Sequence, residues 1–573
     1  MMHQSELTIG WIVTDQYHKE EKKASENQIT CGNLTFLFNQ NQRFVNDKIF
    51  EENEKYIVIL EGVIFNKREL QEKYPDISWF EIIVKLYLEY DMKFPNLLRG
   101  TFSGVIYEKD TKKLMGFTNH TGERTVFYST IKNHIILSSN FNMITEEMKE
   151  NNIPHVLDHK AIECMLTYGC MLDETTYIEC VKRLMPGTSI LIEGNNRELE
   201  TYHRFDNSKT VQLSDEEVIT KLDFYFCQAI KREFEKDKEY NLQSVVDLSG
   251  GLDCRVVNYV AKKMGYHNVL NISYSQLKSN EYKATMALYK DLGNDMIFSP
   301  LDNPNFIYHI DELVKMNYGL VSYVGTTGLC QIVSNLNLDK CGLEHGGLLG
   351  EMKDGAFPGS DYISHTKPTR ENGQRFTNVL KNNRIDDAVI ERFENTELYN
   401  LSVRGLLGGL NSHLIRQQYT DYFSPFEDVD FYDFFLSIPL EQRVKRKILQ
   451  QWVGKCYPEA FQIIEDKNMC RPIDPRWKKT LHYLYYGTKG KVIQLLGKKI
   501  PWLLKNSMNP FEYWYLTNGD IKEFINSYYE KNIHIMEPYD ELKQMCSQVF
   551  YEGKPYDKTI VMTVLSAMKQ YLK

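Results

Sequence analysis

The chain has 573 residues, 42% hydrophobic, 25% charged and 13% aromatic, which is too long for a single core and too aromatic for disorder. Its net charge of −9 argues against general nucleic-acid binding, the polar Met1–Glu6 start predicts no signal peptide, and no window has the apolar length of a membrane span. Eleven scattered cysteines, none in a Cys-x-x-Cys pair, fit reduced thiols in a cytoplasm better than a disulfide framework or a zinc site.

In chain order, the first 200 or so residues read as β-rich with one clear helix. Ile57 to Ile64 is a predicted strand, Asn66 to Glu72 a polar turn, and Phe80 to Tyr90 a helix with Phe80, Ile83, Val84, Tyr87 and Leu88 on one face. Phe102–Tyr107, Leu114–Thr118, Val126–Tyr128 and Ile135–Ser139 follow as short strands at hairpin spacing, and the turn Leu184-Met185-Pro186-Gly187 precedes a strand at Ser189–Glu193. From about residue 215 helical segments alternate with strands at Ser244–Leu248, Val269–Ser273 and Asp295–Phe298, the signature of a parallel sheet with covering helices. The remainder is largely helical. Lys491 to Lys505 is basic and amphipathic, with Trp502 and Leu503. A membrane-surface role fits it, but the preferred reading is a solvated helix with one buried face.

The stretch Ser244-Val-Val-Asp-Leu-Ser-Gly-Gly-Leu-Asp253 carries the most chemistry. A β-branched run ends at Leu248, Ser249-Gly250-Gly251 turns, and an amphipathic helix begins. Two glycines let the backbone approach a ligand with its amides free, and consecutive free amides at a helix start bind anionic oxygens. Asp253 would repel phosphate unless a cation lay between, which points to Mg2+. The plainer alternative is an ordinary strand-to-helix turn with Asp253 as its cap. Neither a Walker sequence nor a dinucleotide fingerprint is present. Cys254 is read as a small residue filling the helix start rather than a nucleophile.

Ser249-Gly250-Gly251-Leu252-Asp253 resembles the PP-loop of ATP pyrophosphatases, and the order of several short motifs resembles the glutamine-dependent asparagine synthetase family. Leu60-Glu61-Gly62-Val63-Ile64-Phe65-Asn66-Lys67-Arg68-Glu69-Leu70 is similar to that family's strand and turn ending in Asn-x-x-Glu-Leu. Leu97-Leu98-Arg99-Gly100-Thr101-Phe102 is similar to its Leu-Arg-Gly-Met-Phe, Leu184-x-Pro186-Gly187 to its Leu-x-Pro-Gly, and Ser424-Pro425-Phe426-Glu427-Asp428 to its Pro-Phe-Leu-Asp. The resemblance implies an α+β N-terminal domain over 1–205, an Ntn-hydrolase-like αββα sandwich of glutaminase type. Over 206–573 it implies an α/β PP-loop domain (ATP pyrophosphatase, HUP-like) with a largely helical C-terminal part. It further implies ATP and Mg2+ as cofactors. Leu248, Ser249, Gly250, Gly251, Asp253, Ile272, Ser273, Gly346 and Gly347 are then expected at the nucleotide, Asp253 and Glu351 at the metal, and Lys467 beside the reacting centre.

The departures matter as much. Family members with glutaminase activity expose an N-terminal cysteine; here Met2 and His3 follow Met1 and the first cysteine is Cys31. The family's Asn-Gly-Glu appears as Glu61-Gly62-Val63, and its glutamine-gripping Asp has no counterpart near Ser78-Trp79-Phe80. A thioether cannot replace a thiolate, so the first domain is expected to keep its fold and lose ammonia production. In place of Ser-Gly-x-Gly-x-Asp-Glu stands His345-Gly-Gly-Leu-Leu-Gly-Glu351, where a surface glutamate in a Gly-rich turn is the alternative to a metal ligand.

The implied reaction is adenylation of a carboxylate at the α-phosphorus of ATP, then transfer to ammonia or an amine. The acid would be a small molecule, a glycan uronic acid or a peptide, in surface-polysaccharide or natural-product biosynthesis. The nitrogen would be free, supplied by a partner protein or carried on the substrate. A cytoplasmic location is expected and homodimerisation is left open. The competing expectation is a catalytically silent binding or scaffold protein. Sulfur transfer to tRNA fits poorly, since the chain is acidic and lacks paired cysteines.

Overall fold

A computed structural model describes residues 9–15, 27–302, 304–325, 327–350, 366–370, 376–377, 379–380, 383–506 and 510–572. Twelve strands fill the first third: β1 (Gly10–Thr14), β2 (Gln28–Cys31), β3 (Leu34–Asn39), β4 (Ile49–Glu52), β5 (Tyr56–Ile64), β6 (Gly100–Glu108), β7 (Lys113–Thr118), β8 (Phe127–Ser129), β9 (Ile136–Ser138), β10 (Val181–Arg183), β11 (Thr188–Glu193) and β12 (Asn196–Thr201). They form two six-stranded antiparallel sheets, ordered β10-β8-β9-β1-β3-β2 and β12-β11-β7-β6-β5-β4. Alternation along β5 explains their stacking. Ile57 and Ile59 join Trp11, Phe36 and Leu137 in the core between the sheets, while Val58, Leu60 and Ile64 face a helical layer. That layer holds α1 (Lys67–Lys73) and α2 (Trp79–Tyr90), and α3 (Phe141–Glu150) and α4 (His159–Tyr168) cover the opposite sheet. Ser78 and Glu81 close a capping box that starts α2.

Two expectations change here. The polar turn at Asn66–Glu72 is the helix α1, and the strand-rich third carries four α-helices among the described residues rather than one. Lys67 and Leu70, both buried, explain the first: a short polar-looking helix survives because tertiary contacts hold it. The sheet crossing also depends on glycine. A Cβ at Gly62 (φ +109°) would lie 2.0 Å from the Thr101 carbonyl oxygen, and one at Gly100 (φ +135°) 2.1 Å from that of Val63.

Beyond α5 (Asp215–Glu239) lies a five-stranded parallel sheet: β13 (Gln243–Asp247), β14 (Val269–Ser275), β15 (Asp295–Pro300), β16 (Cys341–His345) and β17 (Tyr422–Phe423), in the order β15-β14-β13-β16-β17. The chain steps from β13 toward β15 on one side, then returns to β16 and β17 on the other. The direction of winding therefore reverses between β13 and β16, and a crevice opens beyond their carboxyl ends. Helices α6 (Leu252–Lys263) and α7 (Asn280–Leu292) follow β13 and β14. The two parts share one core: Ile12, Phe127 and Phe141 cluster with Leu313, Val564 and Tyr571 from the far end of the chain.

Charge fastens the halves together. Arg43 donates to Asp421 (3.2 Å) and to the carbonyls of Leu338, Cys341 and Gly342 (2.9, 3.0 and 2.7 Å). Asp47 accepts from Lys236 (3.2 Å) and Tyr240 (2.9 Å), and Arg99 pairs with Asp430 (2.8 Å). Burial opposes ionisation of Asp421, yet Arg124, Arg43 and Lys48 hold its carboxyl down to about 2. His345, at the end of β16, is wholly buried between Glu233 (2.9 Å) and Asp237 (2.7 Å) of α5 and stacks on Phe234. Burial disfavours its charge, but Asp237 and Glu233 outweigh this and bring the imidazole up to about 9 from an ordinary 6.5.

Because the folded value exceeds the unfolded one, the stabilisation from His345 is complete below about 6.5 and is lost as pH rises through about 9. The melting temperature should fall across that interval. His345→Leu, which strands two buried carboxylates, should cost about 3–5 kcal/mol by denaturant unfolding.

Candidate functional site

The loop Leu248–Gly251 leaves the carboxyl end of β13, the central strand, and enters α6 with Gly251 as N-cap. Leu248 is buried, and its N–H donates to the Ile272 carbonyl at 2.9 Å, extending the β13–β14 ladder up to the turn. Ile272 and Ser273 are thereby placed on the adjoining strand, both buried. On the other side β16 ends at His345, and Gly346-Gly347 follow. Gly346 N–H donates to Phe423 O (2.8 Å), and a Cβ there would strike the Tyr422 hydroxyl, so Gly346 serves β17 packing. A Cβ at Gly347 would lie 2.7 Å from the Cys254 nitrogen, and one at Gly350 would lie 2.5 Å from the Asp253 carboxyl carbon. Only a backbone without side chains lets this turn close on the first turn of α6. Leu349, between them, holds φ +64° while wholly buried, a strained conformation at the crevice. Ser424 Oγ donates to Leu348 O (2.9 Å), so the Ser-Pro-Phe-Glu-Asp segment props the same turn from beneath.

The loop's amides are not all open, contrary to the expectation from sequence. Gly250 N–H donates to Glu281 Oε1 at 2.7 Å. Ser249 and Gly251 N–H donate to no group among the described residues. Burial first, and Asp466 beside it second, push Glu281 up to about 7. Asp466 abuts the loop, its Cβ 3.0 Å from where a Gly250 Cβ would stand. Lys467 follows it and is exposed. The segment is fixed by Arg255, wholly buried in α6, which donates to Gly250 O (2.9 Å), Ala460 O (2.9 Å), Ile463 O (2.8 Å) and Ile464 O (2.7 Å). One guanidinium thus ties the glycine turn to the chain that carries Lys467. Burial raises the Cys254 thiol far above the ordinary range, consistent with a packing residue.

Below the loop, Asp247 is held by Arg416 (2.9 and 3.1 Å), which also pairs with buried Glu344 and lies over the Tyr422 ring. Beside the Gly-rich turn opens a cavity of about 340 Å³ lined by Tyr168, Leu348, Leu349, Val403, Arg404 and Tyr556 among others. Arg404 is the charged residue of that lining among the described residues. Where the two halves meet, a far smaller cavity of about 40 Å³ is lined by Glu61, Ser103, Glu123 and Arg124 on one side and Tyr318, Leu414 and Gln418 on the other. Arg124 there is committed to Asp421, with Glu61 4.0 Å away. Trp79, at the start of α2, turns its indole N–H to Asp47 O (2.9 Å).

The sequence-predicted residues Leu248, Ser249, Gly250, Gly251, Asp253, Ile272, Ser273 and Gly347 therefore meet at one edge of the sheet. Gly346 lies against β17, Lys467 is next to a loop neighbour, and Glu351 falls outside the described residues. Sequence reasoning missed Glu281, Asp466, Arg255, Asp247 and Arg416. Two left a signal: an Arg on the apolar face of α6, beside Val256 and Val257, and a Glu just after Ser279, the cap of the next helix. Among the described residues no group of three or more His, Cys, Asp or Glu side chains forms a metal cage. Mg2+ sites built from one or two carboxylates plus substrate phosphate oxygens need none, and Asp253 in the first turn of α6 fits that pattern.

A glutamine amidotransferase domain matches residues 30–203. Asparagine synthetase [glutamine-hydrolyzing] 1 of Bacillus subtilis (strain 168) is 23% identical over 279 residues, 46% of this chain and 42% of that protein. Asparagine synthetase [glutamine-hydrolyzing] 2 of the same organism is 24% identical over 337 residues, 55% of this chain and 42% of that protein. The chain thus spans about two fifths of the length of each of these relatives. A solved structure titled as the allosteric regulatory enzyme of purine biosynthesis aligns at 8% identity with a TM-score of 0.24, over 51% of this chain and 75% of that one, too remote to bear on the fold. That domain over its first third and the two asparagine synthetases among its relatives make the chain similar, at a distance, to glutamine-hydrolysing asparagine synthetases.

Proposed function

We propose that the chain is an ATP-dependent amide-forming ligase: it adenylates a carboxylate with release of pyrophosphate, then passes the acyl group to ammonia or an amine with release of AMP. One observation carries the reading. A Ser-Gly-Gly turn sits at the carboxyl end of the central parallel strand, where the winding reverses, and its Gly250 amide already holds a carboxyl oxygen, that of Glu281. The open amides of Ser249 and Gly251 and the start of α6 are suited to the pyrophosphate leaving group. Asp253 would hold Mg2+, which supplies charge neutralisation on the phosphate oxygens. Lys467, on the segment clamped by Arg255, would face the charge that builds as nitrogen attacks the acyl-adenylate. The cavity beside Leu348 and Leu349, aromatic and aliphatic with Arg404 at its wall, suits an acid with an apolar body better than aspartate.

The glutaminase step is absent in this reading. Glu61 stands where the family has Asn. Ammonia or an amine substrate then replaces glutamine as the nitrogen source.

The decisive measurement is acid-dependent exchange of labelled pyrophosphate into ATP, with AMP as the nucleotide product; ADP formation, or no exchange with any acid, would reject the ligase. Asp253→Ala and Lys467→Ala should each lower kcat about a hundredfold or more, Lys467→Ala with ATP affinity unchanged. Glutamine should fail to replace ammonia. Ionised Glu281 competes with a nucleotide for Gly250, so ATP should bind more weakly as pH rises through about 7. Glu281→Gln should flatten that slope in calorimetric titrations.

A further inference from the structure

The segment Lys491–Lys505, read from sequence as one helix with a buried face, is instead the end of a helix, Arg476–Leu496, none of whose residues is buried, followed by a short 3-10 turn at Pro501–Leu504. The apolar side chains of that helix are nonetheless ordered in a helical stripe. Trp477, Leu481, Leu484, Tyr485, Val492 and Leu495 follow one another at spacings of 4, 3, 1, 7 and 3 residues, and all are exposed, Trp477 at 66% and Leu495 at 76%. His482, Tyr486 and Ile493, on the opposite side, are half-buried, and His482 Nδ1 meets the Asn468 carbonyl at 3.0 Å. The stripe thus points away from the protein. The chain beyond it continues the pattern with Ile500 and with Trp502, 69% exposed.

Charge tells what covers this face. Between Asp474 and Glu512 there are eight Lys and Arg residues and no Asp or Glu, in a chain whose net charge is −9. Lys478 is paired with Asp474 at 2.9 Å. Lys489, Lys491, Lys498, Lys499 and Lys505 have no carboxylate partner among the described residues. A strip of Trp, Tyr and Leu flanked by unpaired lysines matches the boundary between headgroups and acyl chains of an anionic bilayer, with aromatic rings at headgroup level. A second copy meeting it through the same face would bring like charge against like charge. No helix among the described residues is long and apolar enough to cross a membrane, so the helix would lie in the plane of the surface.

We propose that Arg476–Leu496, with the following segment to Trp502, docks the protein on a membrane surface rich in anionic lipid. The docking helix is tied to the neighbouring turn at its start. Asp474, 4% exposed, accepts from Arg471 (3.1 and 2.9 Å) and Lys478 (2.9 Å), fixing the helix start to the turn that carries Asp466 and Lys467. Membrane attachment would therefore set the distance between the bilayer and the glycine loop. The inference is independent of the ligase reading.

The test is flotation of the full chain with vesicles of phosphatidylcholine alone and with phosphatidylglycerol added. The chain should float with the anionic vesicles, remain below with the neutral ones, release as salt is raised, and shift its tryptophan emission to the blue on binding. Leu481→Glu/Leu495→Glu should weaken partition about tenfold or more without changing the melting temperature, since both side chains are exposed. Lys489→Glu/Lys491→Glu should remove the preference for anionic lipid. Equal flotation of wild type and the leucine variant, or none with either vesicle, overturns the proposal. So does light scattering in which wild type is a dimer and the leucine variant a monomer without any vesicle binding, or retention on heparin without flotation, which marks another polyanion.

Discussion

The approach of one backbone to another, between the turn after β16 and the first turn of α6, is the constraint from which the rest of the crevice follows. Gly347 and Gly350 have no side chain, and a Cβ on either would overlap α6 at 2.7 or 2.5 Å. Contact at that range leaves Leu348 and Leu349 a single place to go, outward to the neighbouring cavity and inward to the core. It also brings two strand ends on either side of the winding reversal to a common rim. The strained φ of Leu349 survives because packing on both sides over-determines it.

Around that contact the interior is unusually charged. Asp247, Arg416 and Glu344 lie beneath the loop, Glu281 and Asp466 beside it, and His345 with two carboxylates behind. Buried ions of this kind contribute little net stability compared with apolar residues of the same volume, yet removing one partner costs about 3–5 kcal/mol. Their value is positional. Arg255 makes the point most clearly: it bridges four carbonyls and neutralises no partner among them, joining a loop to a segment more than two hundred residues away.

What was legible in sequence was what repeats at short range. The β-branched runs at Ile57–Ile64 and Ser244–Leu248, the spacing of Phe80, Ile83 and Tyr87, and the Ser-Gly-Gly turn all announce themselves within a window of ten residues. The order of short motifs also pointed to the same relatives. What failed was set by distant partners. The helix α1 reads as a polar turn because only tertiary burial of Lys67 and Leu70 supports it. Glu281 at the Gly250 amide cannot be inferred from either segment alone, since two strands must first lie side by side. The helix from Arg476 has clear amphipathic spacing, and sequence cannot say whether such a stripe meets a core or the outside.

The seam between the two halves has an evolutionary side. Arg43 donates to one carboxylate and three carbonyls across it, Asp47 receives Lys236, and Arg99 and Arg232 share Asp430. Each bond needs a specific atom on the far side, so neither half can be traded for the corresponding piece of a relative without bringing its counterpart along. A first domain that no longer liberated nitrogen would still be retained, as a scaffold whose deletion would leave orphaned ions on the surface of what remained. The two halves would then stay together through their wiring and not through shared chemistry.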